Sequence, residues 1–187
     1  QAVEEAIKAG KKPVFLAEGT IGGPEGSEQQ GISKALADKY GDKVGQDTWD
    51  DEAVQYLRWD DEAGTDTIDM DSSMAKGLVK RFGGDTEMVK AAIHAFDVGQ
   101  GTELVADDAT NGRLRSLGSN PDNPRSMYLA AFPQDAGEED GDDAIVKAFK
   151  PGAKVISQLG DAMNQARQGN MARKIKEIEA SGGVAIV

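Results

Sequence analysis

The sequence predicts an α/β fold, a mostly parallel sheet of about five to seven strands with helices on both faces. Short apolar runs alternate with helical patterns along the whole length. The stretch from Pro13 to Tyr40 reads as strand, glycine-rich turn and amphipathic helix in succession. A length of 187 residues suits one domain, 1–187, that buries a sizeable core without disulfide or metal staples.

Taken in order, Ala2 to Ala9 has a helical pattern and Val14 to Ala17 is an apolar strand. The turn Gly19 to Gly26 leads to a helix over Glu28 to Tyr40, where Ser27 and Gln30 form a capping box and Gly41 stops the helix. Ile32, Leu36 and Tyr40 share one face of it. A weak strand lies around Val44, and a helix is expected over Asp51 to Trp59. Further strands are expected at Thr67 to Met70, Glu103 to Ala106, Met127 to Phe132, Lys154 to Ser157 and Gly183 to Val187. Helices are expected at Ser73 to Phe82, Thr86 to Phe96, Asp143 to Phe149 and Met163 to Ala180, the last with a break at Gly169-Asn170. Gly118 to Arg125 and Pro133 to Asp142 read as surface loops. Gln1 starts within a helical pattern and Val187 ends within a strand pattern, as expected of a trimmed form of a longer chain.

Composition narrows the function classes. A formal charge of −12 argues against nucleic-acid binding, which needs clustered Lys and Arg on phosphates. No apolar run reaches the roughly 20 residues of a spanning helix, so no membrane insertion is expected and the chain reads as soluble. The absence of cysteine excludes thiol catalysis, thiolate metal sites and disulfides, and suits cytoplasm or periplasm equally.

The glycine-rich turn matches neither a Walker loop nor the dinucleotide fingerprint. Its place after a strand and before a helix is nevertheless where α/β proteins bind ligands, because free backbone N–H groups at the helix start face the crevice beyond the strand ends. Small-molecule binding is therefore the first functional expectation, with a polar or anionic ligand at Gly19, Thr20, Gly22, Gly23, Ser27 and Glu28. No cofactor is expected in that reading. Glycines there equally satisfy turn geometry alone.

Two resemblances attach to short stretches. Gly19-Thr20 after the first strand, Lys39-Tyr40-Gly41 at the helix end and the Met171 to Val187 helix-then-strand unit loosely resemble periplasmic-binding-protein-like domains, which implies ligand binding. Asp69-Met-Asp71-Ser72-Ser73 and Leu159-Gly160-Asp161-Ala-Met-Asn164 resemble the first and last motifs of haloacid-dehalogenase-type phosphohydrolases. That second resemblance implies Asp69 as nucleophile, Asp71 as general acid/base, Asp161 as a further Mg²⁺ ligand with them, and Lys147 or Lys150 as the phosphate-charge lysine. A carboxylate takes a phosphoryl group when Mg²⁺ and lysine neutralise the developing charge. Ser73 stands where that pattern has Thr, and Gln165 where it has Asp. Aspartates before helices are also ordinary N-caps. A structural or assembly subunit is the third alternative.

His94, the only histidine, is expected on the solvated face of its helix, opposite Val89, Ala92, Ile93 and Phe96. A zinc site and a serine-hydrolase triad are both disfavoured by the lack of partners and of a nucleophile elbow. Trp49 and Trp59 are expected to cap the ends of the acidic helix between them against the core. The flanking runs Asp50-Asp51-Glu52 and Asp60-Asp61-Glu62 do not have calcium-loop spacing and read as solvated faces.

Overall fold

The fold is described from a computed structural model, over residues 1–18, 28–119, 123, 125–136 and 150–187. The expected helix at Asp143 to Phe149 and the turn at Gly19 to Gly26 lie outside these residues. The chain forms two compact units, one from Gln1–Val54 with Gln165–Val187 and one from Gln55–Asn164.

The first unit holds α1 (Ala2–Lys8), β1 (Lys12–Ala17), α2 (Glu28–Tyr40), β2 (Gly45–Thr48), the second half of α7 (Lys150–Ala180) and β5 (Gly183–Ile186). Its sheet is parallel in the order β2-β1-β5. Pro13 in the central strand is tolerated because β2 begins alongside Val14, so only β5 flanks the proline. Leu16 is buried, and Val14 and Phe15 are partly covered. The return from α7 into β5 is tight. Gly182 takes φ +83°, and a Cβ on Gly183 would stand 2.9 Å from Ile178 Cγ2 and 3.1 Å from the Lys12 carbonyl oxygen.

The second unit holds β3 (Leu57–Asp60), β4 (Thr65–Ile68), α3 (Ser73–Arg81), α4 (Thr86–Gly99), α5 (Asp108–Ser116), α6 (Arg125–Ala131) and the first half of α7. β3 and β4 make an antiparallel hairpin, and Leu104 adds a single parallel bridge to Asp66. Val89, Ala92, Ile93 and Phe96 of α4 are buried, as are Leu114 of α5, Met127 and Leu129 of α6, and Ile156, Leu159 and Met163 of α7. Carboxylates and a hydroxyl set the helix starts: Ser72, Asp85 and Asp107 each accept from an amide three residues on, at 3.1, 2.9 and 2.7 Å.

The expected sheet of five to seven mostly parallel strands is not present. Three parallel strands and one two-stranded hairpin stand beside seven α-helices among the described residues. Met127 to Phe132 lies largely in α6, because an apolar run buried on all sides has no periodicity to separate helix from strand. Lys154 to Ser157 sits inside α7, where burial of Ile156 overrides the β preference of a Val-Ile pair. Glu103 to Ala106 shrinks to the bridge at Leu104. The helix expected over Asp51 to Trp59 is instead a turn capped by Asp51, which accepts from the Ala53 amide at 3.0 Å, followed by β3. The break at Gly169-Asn170 is absent, and α7 runs 31 residues without interruption.

Candidate functional site

Parallel strands deliver their carboxyl ends to one edge of a sheet, and at that edge of the first unit polar groups gather. Glu18 follows β1, and Trp49, Asp50 and Asp51 follow β2. The Trp49 amide donates to the Ala17 carbonyl at 3.2 Å, which carries the ladder one residue beyond the strand and fixes where these side chains start. Opposite them, α7 presents Arg167, Asn170, Arg173 and Lys174, a spacing of three to four that places them on one helical face.

Arg167 donates to Glu18, lies 3.7 Å from Asp50 Oδ2, and rests over the Trp49 ring with Cζ 5.1 Å from the centroid. A guanidinium on an aromatic face keeps its fork of donors in plane and free to meet carboxylates edge-on. Asn170 is buried and donates to the Trp49 carbonyl and to Asp51 Oδ1, the latter at 2.9 Å. Arg173 reaches Asp51 Oδ2 at 2.7 Å and Glu177 at 2.6 Å, while Lys174 lies 3.4 Å from Asp47 Oδ2. Burial pushes the Asp50 carboxyl up, aided by the charges of Glu18 and Asp51 and opposed by Arg167. Asp51 feels burial too, yet the Ala53 amide, Asn170 and Arg173 hold it below the usual carboxylate range. A shallow groove of about 390 Å³ opens along α7 beside this cluster, lined by Gly169, Ala172, Arg173, Lys176, Glu177 and Ala180.

The expected site residues fall as follows. Gly19, Thr20, Gly22, Gly23 and Ser27 lie outside the described residues, and Glu28 opens α2. Asp69 and Asp71 share a local turn before α3: the Asp71 amide donates to Asp69 Oδ1 at 2.9 Å, and Asp71 pairs with Lys76 at 3.2 Å. Asp161 is exposed on α7, and Lys147 lies outside the described residues. Among the described residues no group of three or more His, Asp or Glu side chains is placed to hold a metal ion, so these three aspartates do not assemble into one. No described helix is long and apolar enough to cross a membrane.

Several expectations about single residues are corrected. His94 is on the buried side of α4, 5 % exposed, and among the described residues neither ring nitrogen makes a hydrogen bond of full geometry, although the Leu104 backbone acts on the ring. Burial pushes its pKa below the ordinary histidine value and Lys90 adds to this, against the Leu104 backbone and Asp107. The helix is buried almost all round, so the opposite face offered no solvent. Trp59 is 59 % exposed on β3 rather than capping a helix. Asp50 and Asp51 are pinned by α7 and are not a solvated face. Arg167, Arg173 and Lys174 are the residues sequence reasoning does not single out. Their signal is the polar spacing along α7, which looks like any solvent-facing stripe until the sheet edge is placed against it.

Compared with family models, curated proteins and solved structures, the chain matches none.

Proposed function

We propose that the first unit binds a small polar ligand carrying an anionic group at the carboxyl ends of β1 and β2, with Gly19, Thr20, Gly22, Gly23, Ser27 and Glu28 proposed to take part in the binding. The observation that carries this reading is Arg167, held between Glu18 and Asp50 over Trp49 at the strand ends. A ligand anion replaces a carboxylate on the guanidinium fork, and the released carboxylate accepts donors from the rest of the ligand. The ligand is therefore polar along its length. An aromatic wall and a groove beside Arg173 give it a side to lie against.

The test is thermal melting and calorimetry of the full chain against small carboxylates, amino acids and sugar phosphates. A binder raises the melting temperature with concentration, equivalent to about 2.7 kcal/mol at a hundredfold excess over Kd. Arg167→Met removes that shift while the ligand-free protein still melts cooperatively. Gly22→Val with Gly23→Val removes it as well. If no compound in the panel shifts the melt, or if Arg167→Met leaves the shift intact, the reading fails.

A further inference from the structure

The hairpin of the second unit has an open side. In an antiparallel pair, residues that exchange backbone hydrogen bonds alternate with residues that do not. The Asp69 amide donates to the Tyr56 carbonyl at 2.8 Å, so Tyr56 and Asp69 are a bonded pair. By alternation from the observed register, Arg58–Thr67 and Asp60–Thr65 are bonded pairs, whereas Leu57–Ile68 and Trp59–Asp66 are not. The backbone groups of Leu57 and Trp59 therefore point away from β4. The same alternation turns the Asp66 backbone towards Leu104, where the parallel bridge is found. β4 is thus flanked on both sides, and β3 is the edge. Among the described residues nothing hydrogen-bonds to the outer backbone groups of Leu57 and Trp59.

An exposed indole and a cluster of carboxylates lie at this same edge. Trp59 is 59 % exposed, and Asp66 lies directly across from it on the same face. Asp60, Asp61 and Glu62 form the turn, and Glu103 precedes the bridge at Leu104. None of these five carboxylates is ion-paired with a described residue, and Arg58 is the single cation on the hairpin. Most edge strands are guarded by charge against pairing with their own kind. Here the guard is predominantly acidic, with Arg58 alone against Asp60, Asp61, Glu62 and Asp66, so two copies of this edge repel each other and a basic strand is attracted.

We propose that β3 is a docking edge for an extended basic peptide, which adds as a further strand through the Leu57 and Trp59 backbone and lays a Lys or Arg on the Trp59 ring beside Asp66. Main-chain bonds supply the register, and the indole face with the flanking carboxylates selects the cation. The inference stands apart from the ligand site of the first unit, since none of its residues belongs to that site.

The experiment uses the ¹⁵N-labelled full chain and three capped peptides: alternating lysine and valine, alternating glutamate and valine, and the lysine peptide with alternate backbone nitrogens methylated. The lysine peptide is expected to protect the Leu57 and Trp59 amides from hydrogen exchange. Its affinity should fall roughly tenfold or more with Trp59→Ala, a hot-spot-sized loss, and fall steeply with added salt. Trp59→Phe keeps an aromatic face and should retain most of the affinity. The methylated peptide should lose it. Equal binding of the glutamate or the methylated peptide would overturn the proposal, as would absence of protection at Leu57 and Trp59. Protection that rises with protein concentration alone would replace the basic peptide by a second copy of this chain.

Discussion

A Cβ built on Gly160 would stand 2.9 Å from Cε2 of Phe96 and 3.0 Å from Cζ of Phe132. The two phenylalanine rings meet edge to face with centroids 5.9 Å apart, and Phe96 makes a similar contact with Tyr128 at 5.8 Å. α7 approaches α4 and the Phe132 ring this closely only because Gly160 has no side chain.

Gly160→Val should therefore destabilise the second unit by about 1–3 kcal/mol through overpacking. Gly169 is the control, since it lies on the same helix with open space around its Cβ position. Gly169→Ala should stabilise by roughly 0.5–1 kcal/mol. Urea melts of both variants measure the two signs in one helix.

His94 sets an acid limb on stability. Its folded-state pKa is lowered by burial, so the protein gains no proton there until well below the unfolded value of about 6.5. The unfolded chain binds the proton first, and stability that is fully present above that value is lost as pH falls through the folded-state pKa. Denaturant melts between pH 7.5 and pH 5 should show this slope, and His94→Phe should flatten it. Full retention of the slope in the variant would assign it to other groups.

Asp107 acts further down the scale. The Lys90 ammonium at 2.6 Å and the Thr110 amide at 2.7 Å hold its carboxyl far below the usual range. The stability it adds is complete above about pH 3.9 and disappears as pH falls below that. Asp107→Ala should cost about 1 kcal/mol at neutral pH, the loss expected of an N-cap, while Asp107→Asn should keep most of the cap and lose the ion pair. Circular-dichroism melts of the parent and both variants at pH 7 separate the two contributions.

The parts of the fold legible in the sequence are those whose signals are local. Glu28 to Tyr40 is a helix within its expected bounds, and Val14 to Ala17 and Gly183 onward are parallel strands because turn chemistry brackets each apolar run. The strands at Met127 to Phe132 and Lys154 to Ser157 fail for want of periodicity, since core helices and core strands are both apolar throughout. Asp60-Asp61-Glu62-Ala63-Gly64 was a readable hairpin turn: Gly64 takes φ +66° and its amide closes on the Asp60 carbonyl at 2.8 Å. The acidity of the run fits a solvated face equally well, and that reading leaves the turn glycine unused. For the candidate site, only the apolar strand that ends before Glu18 is legible in the sequence, whereas Arg167 and Arg173 lie more than a hundred positions away from Trp49 and Asp51. No local pattern links residues that far apart.

The pairing of Lys12 with Gly183 has a consequence for how the polypeptide is made. The strand at the middle of the first sheet leaves the ribosome ahead of its neighbour β5, which follows 171 positions later. At synthesis rates of about 5–20 residues per second, β1 waits roughly 9 to 34 seconds for that neighbour. The helical second unit, whose residues all lie in the stretch translated in between, is free to fold during the delay. Translation thus orders the two units in time, and a chain stalled before β5 presents a sheet missing one strand to whatever quality-control machinery meets it.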